Sequence, residues 1–145
     1  RIVPVAVSYE YDPLDVNKAA EQLRKQSDKR PYEDVISMNK GLKGFKGRIH
    51  IAFGTPLTEA EYHTPEEVAN EIDRQIHLNY KLWPTNYFAY DHVNNTTTFA
   101  EQYRDFNHET FLRRFAFRRE EVRDFALNAY ANPVRSFLSQ QARLS

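Results

Sequence analysis

Apolar residues crowd the first nine positions of the chain. Ile2, Val3, Val5, Ala6 and Val7 form a nearly continuous run, which reads as a strand over residues 2–9 covered on both faces. Pro4 interrupts the run. A proline cannot donate to a ladder, so it favours an edge, a strand end or a bulge. The period then changes. Val16, Ala19, Ala20 and Leu23 fall at i, i+3, i+4 and i+7, one helical stripe, with Asp12 or Asp15 placed to cap it and Arg24 and Lys25 near its C-terminal end. Residues 27–40 are polar and mixed, predicting a loop with one turn of helix around 32–38.

The stretch GLKGFKGRIHIAFGTPL carries a second strand. Ile49, Ile51 and Phe53 alternate with Arg48, His50 and Ala52, and Gly54-Thr55-Pro56 ends it. A helix follows, with Thr64 as N-cap, Pro65 in the first helical position and Glu67 completing a capping box. Val68, Ile72, Ile76, Tyr80 and Trp83 recur at spacings of three and four, and Pro84 ends the element. Residues 85–98 read as irregular. Two or three helices are expected from Phe99 onward, the clearest carrying Val122, Phe125, Ala126, Ala129 and Tyr130. Asn132-Pro133 breaks that helix and starts a short last one with Val134, Phe137 and Leu138.

These elements predict an α/β class, with about two strands and flanking helices over residues 1–90 and a helical portion over 91–145. Two strands joined through a helix suggest a βαβ unit or part of one. A two-stranded sheet is marginal without neighbours, so the first strand is expected to belong to a larger sheet whose other strands precede Arg1.

Composition narrows the functions open to such a chain. Its 145 residues are one domain's worth. Lys plus Arg equals Asp plus Glu at 20 each, so net charge favours neither nucleic acid nor an anionic membrane, and any such preference has to come from local clustering. Cysteine is absent, which excludes a disulfide framework and a thiolate metal site. No apolar run reaches the roughly 18 residues of a membrane-spanning helix.

Candidate chemistry is sparse. None of the histidines at 50, 63, 77, 92 and 108 has an aspartate four or five residues downstream, and no GxSxG, P-loop, GxGxxG or HExxH pattern occurs. Asp73 and His77 lie four apart on a helix, either sharing a proton or metal or forming an exposed helical pair. Two ligands do not make a metal site, and neither a metal nor a cofactor is expected. Arg48 and His50 face either a polar cleft or a half-exposed sheet surface. Lys40, Lys43, Lys46 and Arg48 surround Gly41, Gly44 and Gly47, so Lys43, Lys46 and Arg48 are candidate phosphate ligands. The competing reading is a flexible turn with solvated lysines. The segment FLRRFAFRR (111–119) places Arg113, Arg114 and Arg118 as candidates for an anionic membrane surface. Alternatively it is a helix packing Phe111, Leu112, Phe115 and Phe117 on the domain with its arginines in water. Binding of nucleic acid through the same arginines and aromatics is disfavoured by the neutral overall charge.

Two stretches resemble a known family. IVPVAV (2–7) resembles the fourth sequence block of the glycerolipid acyltransferases, the superfamily of glycerol-3-phosphate and 1-acylglycerol-3-phosphate acyltransferases. GRIHIAFGTPL followed by EVANEIDRQI resembles the segment after that block. NYKLWPTNYFAYD and YANPVR are similar to a bacterial branch with an extra C-terminal helical portion. The resemblance implies that the parent protein moves a fatty acyl group from acyl-CoA or acyl carrier protein to glycerol phosphate or a lysophospholipid. It also implies a His-x4-Asp general-base pair and a phosphate-binding block upstream of Arg1, and a parent at the cytoplasmic face of the inner membrane. Within this chain it carries over only the apolar strand, with Val3, Pro4 and Val5 as substrate-cleft wall and no catalytic residue. The chain alone is then a soluble, inactive fragment. The alternative is a lipid-surface or protein-interaction module built on the C-terminal helices. A homodimer formed by pairing the unpaired strand edge is a third expectation.

Overall fold

The computed structural model describes residues 1–24, 32–58 and 62–144. In chain order the elements are β1 (Val5–Tyr9), α1 (Asp15–Gln22), α2 (Glu33–Lys43), β2 (Ile49–Phe53), α3 (Pro65–Asn79), α4 (Pro84–Asn94), a 3-10 turn (Ala100–Tyr103), α5 (His108–Arg113) and α6 (Glu120–Leu144). The class is mixed α/β, and helix predominates.

The two strands run antiparallel, with Val5 opposite Phe53, Val7 opposite Ile51 and Tyr9 opposite Ile49. This corrects the βαβ expectation. α1 and α2 form an excursion that leaves and re-enters at the same end of the sheet, so no crossover is needed. Backbone bonds from Glu10 to Arg48 (2.9 Å) and from Tyr11 to Lys46 (3.0 Å) continue the pairing into that excursion. At the far end Ile2 pairs with Leu57. Gly54, Thr55 and Pro56 there oppose only Val3 and Pro4, which is a bulge. Pro4 sits beside it, where a missing N–H is tolerated, and its carbonyl accepts from Gly54 N at 2.8 Å.

The sheet turns its small side chains inward. Pro4, Ala6 and Ser8 are buried, whereas Val3, Val5 and Val7 are 46%, 40% and 41% exposed. Ile49, Ile51 and Phe53 are exposed with them. α3 packs against β1, and small residues permit that close approach. β1 is therefore not a strand covered on both faces. Among the described residues only one face is covered.

The capping box of α3 forms as expected, with Glu67 N donating to Thr64 Oγ1 at 3.2 Å and Thr64 N to Glu67 Oε2 at 3.3 Å. α1 forms too, although Leu14 is its N-cap and Asp15 falls inside the first turn. Asp12 instead fixes the entry, accepting from Leu14 N at 2.8 Å.

Four expectations need correction. The stretch predicted as a loop with one turn of helix holds α2, 11 residues long, and a Cβ at its Gly41 would lie against the Leu14 side chain. The apolar residues of α2 point outward, which hid it. Pro84 does not end the preceding helix: α3 stops at Asn79, Trp83 is the N-cap of α4 and Pro84 its first residue, so much of 85–98 is helical. The Asn-Asn-Thr-Thr-Thr turn after α4 is wound around buried Asp91, which accepts from Thr96 Oγ1 (2.6 Å), Thr98 N (3.1 Å), Phe99 N (2.7 Å) and Tyr103 Oη (3.1 Å). Pro133 does not break α6, which runs through it. One bond to the Ala129 carbonyl is lost, but Ala126, Tyr130, Ala131 and Val134 are buried on both sides of the proline, and that packing outweighs the loss.

The core lies among α1, α4, α5 and α6. Phe111 is its hub, meeting Tyr130 edge-on at 5.0 Å, Phe115 at 5.3 Å and Phe88 at 6.0 Å. α6 packs on α4, α1 and α3, and residue 90, the sequence-based boundary, lies within α4.

Two substitutions compare a rim contact with an interior one. Thr64→Ala removes one cap and is expected to cost about 1 kcal/mol. Asp91→Ala strands several donors at once and is expected to cost more than about 2 kcal/mol. Urea unfolding monitored by circular dichroism measures both, and equal costs would contradict the role given to Asp91.

Candidate functional site

Asp15 begins α1 and Tyr130 projects from α6, with the turn after α5 bringing Arg114 to both. The Arg114 guanidinium donates twice to Asp15 Oδ2, at 3.0 and 2.8 Å, and once to the Asp12 carbonyl at 3.3 Å. Tyr130 Oη donates to the same Asp15 oxygen at 3.0 Å and accepts from Asp12 N at 2.8 Å. Asp15 Oδ1 takes Val16 N at 2.7 Å. Burial, reinforced by the Asp15 carboxylate, pushes the Tyr130 phenol far above its ordinary range. Burial works against the charge on Arg114, but Asp15 overrides it and holds the guanidinium above its ordinary value. Asp12, Asp15 and Tyr130 border a cleft of about 590 Å³ that also takes in Tyr9, Tyr80 and Asn86. Both Asp15 oxygens are already bonded and the tyrosine keeps its proton. The network clamps α1 to α6 and leaves no free base.

The substrate-wall candidates separate. Val3 and Val5 lie on the open sheet face, while Pro4 is buried on the other. That open face, Val3, Val5, Val7, Ile49, Ile51 and Phe53, is the largest apolar feature of the sheet.

The phosphate candidates do not converge. Lys46 Nζ donates to the Leu42 and Gly44 carbonyls, both at 3.1 Å, closing the C-terminal end of α2. Arg48 grips Glu10 through Nε (3.1 Å) and Nη2 (2.9 Å) and lies 4.9 Å over the Trp83 ring. The hydrogen bonds from Arg48 hold the Glu10 carboxyl below its ordinary value. Lys43 alone is exposed and without an ion pair among the described residues. Gly41 and Gly44 belong to α2 and its C-cap rather than to an open loop. Gly47 does need its glycine: it sits at φ +63°, where a Cβ would also crowd Glu10 and Tyr11.

The segment 111–119 is not one basic helix. α5 ends at Arg113, and turns carry the chain on to α6. Phe111 and Phe115 are buried, Arg114 belongs to the clamp, and Arg113 and Arg118 are exposed. The segment therefore packs its phenylalanines at 111 and 115 as one reading had it, but Phe117 is fully exposed.

His50 is half-buried opposite Ser8. Asp73 and His77 line a polar groove of about 480 Å³ between α3 and α6, beside Arg135 and Arg143. Among the described residues no group of three or more His, Cys, Asp or Glu is placed to hold a metal, and no helix is long and apolar enough to cross a membrane.

Sequence reasoning missed the approach of Lys40 on α2 to Arg118 and Arg119, which border one groove of about 390 Å³ with Arg24 and Glu33. Nothing in their spacing along the chain announces it. Comparison of this chain with protein-family models, with curated proteins and with solved structures finds no match.

Removing the cation from the clamp leaves a buried carboxylate. Arg114→Met is expected to cost about 3 kcal/mol, and Asp15→Asn combined with Arg114→Met less than the single change. Denaturant titrations of both variants check this; a double variant less stable than the single would contradict it. Because the Glu10 carboxyl is held below its ordinary 4.5, its stabilisation is present above that pH and fades as pH falls below it. Glu10→Gln is expected to cost about 1 kcal/mol at neutral pH and less in acid. Unfolding midpoints across a pH series read the difference.

Proposed function

We propose that this chain is the C-terminal part of a phospholipid-pathway acyltransferase. Its parent moves an acyl group from acyl-CoA or acyl carrier protein to glycerol phosphate or a lysophospholipid. The observation that supports this reading is the open face of the sheet. Val3, Val5 and Val7, with Ile49, Ile51 and Phe53 across the ladder, form an apolar wall in water, on the strand whose sequence resembles the family's fourth block. Such a wall suits a sheet that is completed by further secondary structure and borders an acyl-binding cleft.

Size helps to choose between covers. A two-stranded face of five-residue strands spans roughly 17 Å by about 10 Å, well short of the roughly 800 Å² per partner of a stable interface. A second copy docked on this face alone would bind weakly, whereas a covalently continuous part of the parent needs no such area. In this reading the general base and its aspartate partner lie upstream of Arg1, and the chain contributes wall and support.

The reading expects no turnover from the isolated chain with acyl-CoA and lysophosphatidic acid. It expects turnover from the parent, abolished by alanine at the histidine of an upstream His-x4-Asp pair. Acyl transfer by the chain alone above a heat-killed control would refute it, as would an inactive parent or one lacking that pair. Light scattering on the isolated chain is expected to give a monomer.

A further inference from the structure

Helix α2 and the turn before α6 face one another across a groove bordered by Ile36 and Lys40 on one side and Arg118 and Arg119 on the other. On α2, Ile36, Lys40 and Lys43 lie at i, i+4 and i+7 and share a stripe, with Val35 and Leu42, seven apart, forming the stripe beside it. All five side chains are exposed, and α2 has no buried residue. The turn presents Phe117 with a relative exposure of 107% at φ +64°. A bulky residue at positive φ is strained, and here the strained conformation holds an aromatic ring entirely in water.

Charge sorts itself across the same surface. Lys40, Lys43, Arg113, Arg118 and Arg119 make no ion pair among the described residues. The carboxylates at the groove are engaged: Glu33 pairs with Arg24, and Glu21 accepts from Ser37 Oγ at 2.7 Å. Unpaired cations therefore surround exposed apolar side chains, although the whole chain is neutral.

We infer that α2 and the Phe117–Arg119 turn form a docking surface for an anionic lipid bilayer. Phe117, Ile36, Val35 and Leu42 enter the headgroup boundary, and Lys40, Lys43, Arg118 and Arg119 meet the phosphates. The pattern is that of an interfacial amphipathic element: an apolar stripe beside a basic one, on a helix that gives the core nothing. The inference stands independently of the acyltransferase reading. It also relocates the basic membrane surface expected from 111–119, since Arg114 is taken by Asp15 and the groove beside α2 is bordered by Arg118 and Arg119 at the end of that segment.

The test uses the whole chain with vesicles of phosphatidylcholine, alone or mixed with phosphatidylglycerol. Co-sedimentation is expected with the mixed vesicles only, weakening as sodium chloride is raised. Arg118→Glu with Arg119→Glu is expected to weaken binding by about 25-fold or more, at about fivefold for each basic residue. Phe117→Ser is expected to weaken it by about fivefold to tenfold. Neither change touches the core, and circular dichroism checks that both variants fold. Because the chain has no cysteine, an environment-sensitive dye can be placed at Phe117→Cys, Ile36→Cys or Ile51→Cys. A blue shift on vesicles at the first two but not the third supports the proposal. Absence of binding, salt-insensitive binding to neutral vesicles, or a shift confined to Ile51→Cys on the open sheet face would overturn it.

Discussion

Ala6, Ser8 and Ala52 are small, and the structure depends on that. Their side of the sheet is the covered one, with α3 against β1, and the buried Gln75 of α3 ties into the same region: its Oε1 accepts from Thr55 N at 2.7 Å. Strand alternation then leaves the branched and aromatic residues no place but the other face. The chain's largest β-forming side chains thus end in water, while the aromatic residues of its helices fill the core. An ordinary half-buried sheet does the reverse. The inverted polarity makes sense if the outer face belongs to a larger construction, and the functional proposal is built on it.

The helical body is self-sufficient by comparison. Phe111 gathers Phe88, Phe115 and Tyr130 around it, and the Asp15–Arg114–Tyr130 network ties the first helix to the last across more than a hundred residues of sequence. Asn86 adds a further tie, donating from Nδ2 to the Tyr130 carbonyl at 2.9 Å. These contacts fix the turn after α5, and so place Arg118 and Arg119 beside α2. The cationic groove is a consequence of a clamp whose own members are chemically saturated.

Legibility from sequence followed the locality of the cause. The α3 cap was readable because Thr64, Pro65 and Glu67 act within four residues of one another. Both strands were readable from β-branched runs bounded by glycine and proline. Their antiparallel pairing was not, because it depends on where the α1–α2 excursion returns. α2 is not legible because its apolar residues face water and so carry no core signal, and α4 because a proline marks a helix start as readily as an end. The turn over 95–99 owes its order to Asp91, one carboxylate in the preceding helix. For the candidate site, the apolar strand was legible as a run of residues but not which of them would be open. Pro4 went inward while Val3 and Val5 went out. Arg48 and Lys46 were legible as basic but not as already committed, since Glu10 lies 38 positions from Arg48.

Accessibility of the sheet's outer face tests the central claim most directly. With no native cysteine in the chain, Val7→Cys reports that face through its rate of maleimide labelling. The account predicts fast labelling in the isolated chain and strong protection in the longer parent protein that the proposed function requires, made in a cysteine-free background. Equal rates in the two would contradict it, because the apolar wall would then be a surface in both.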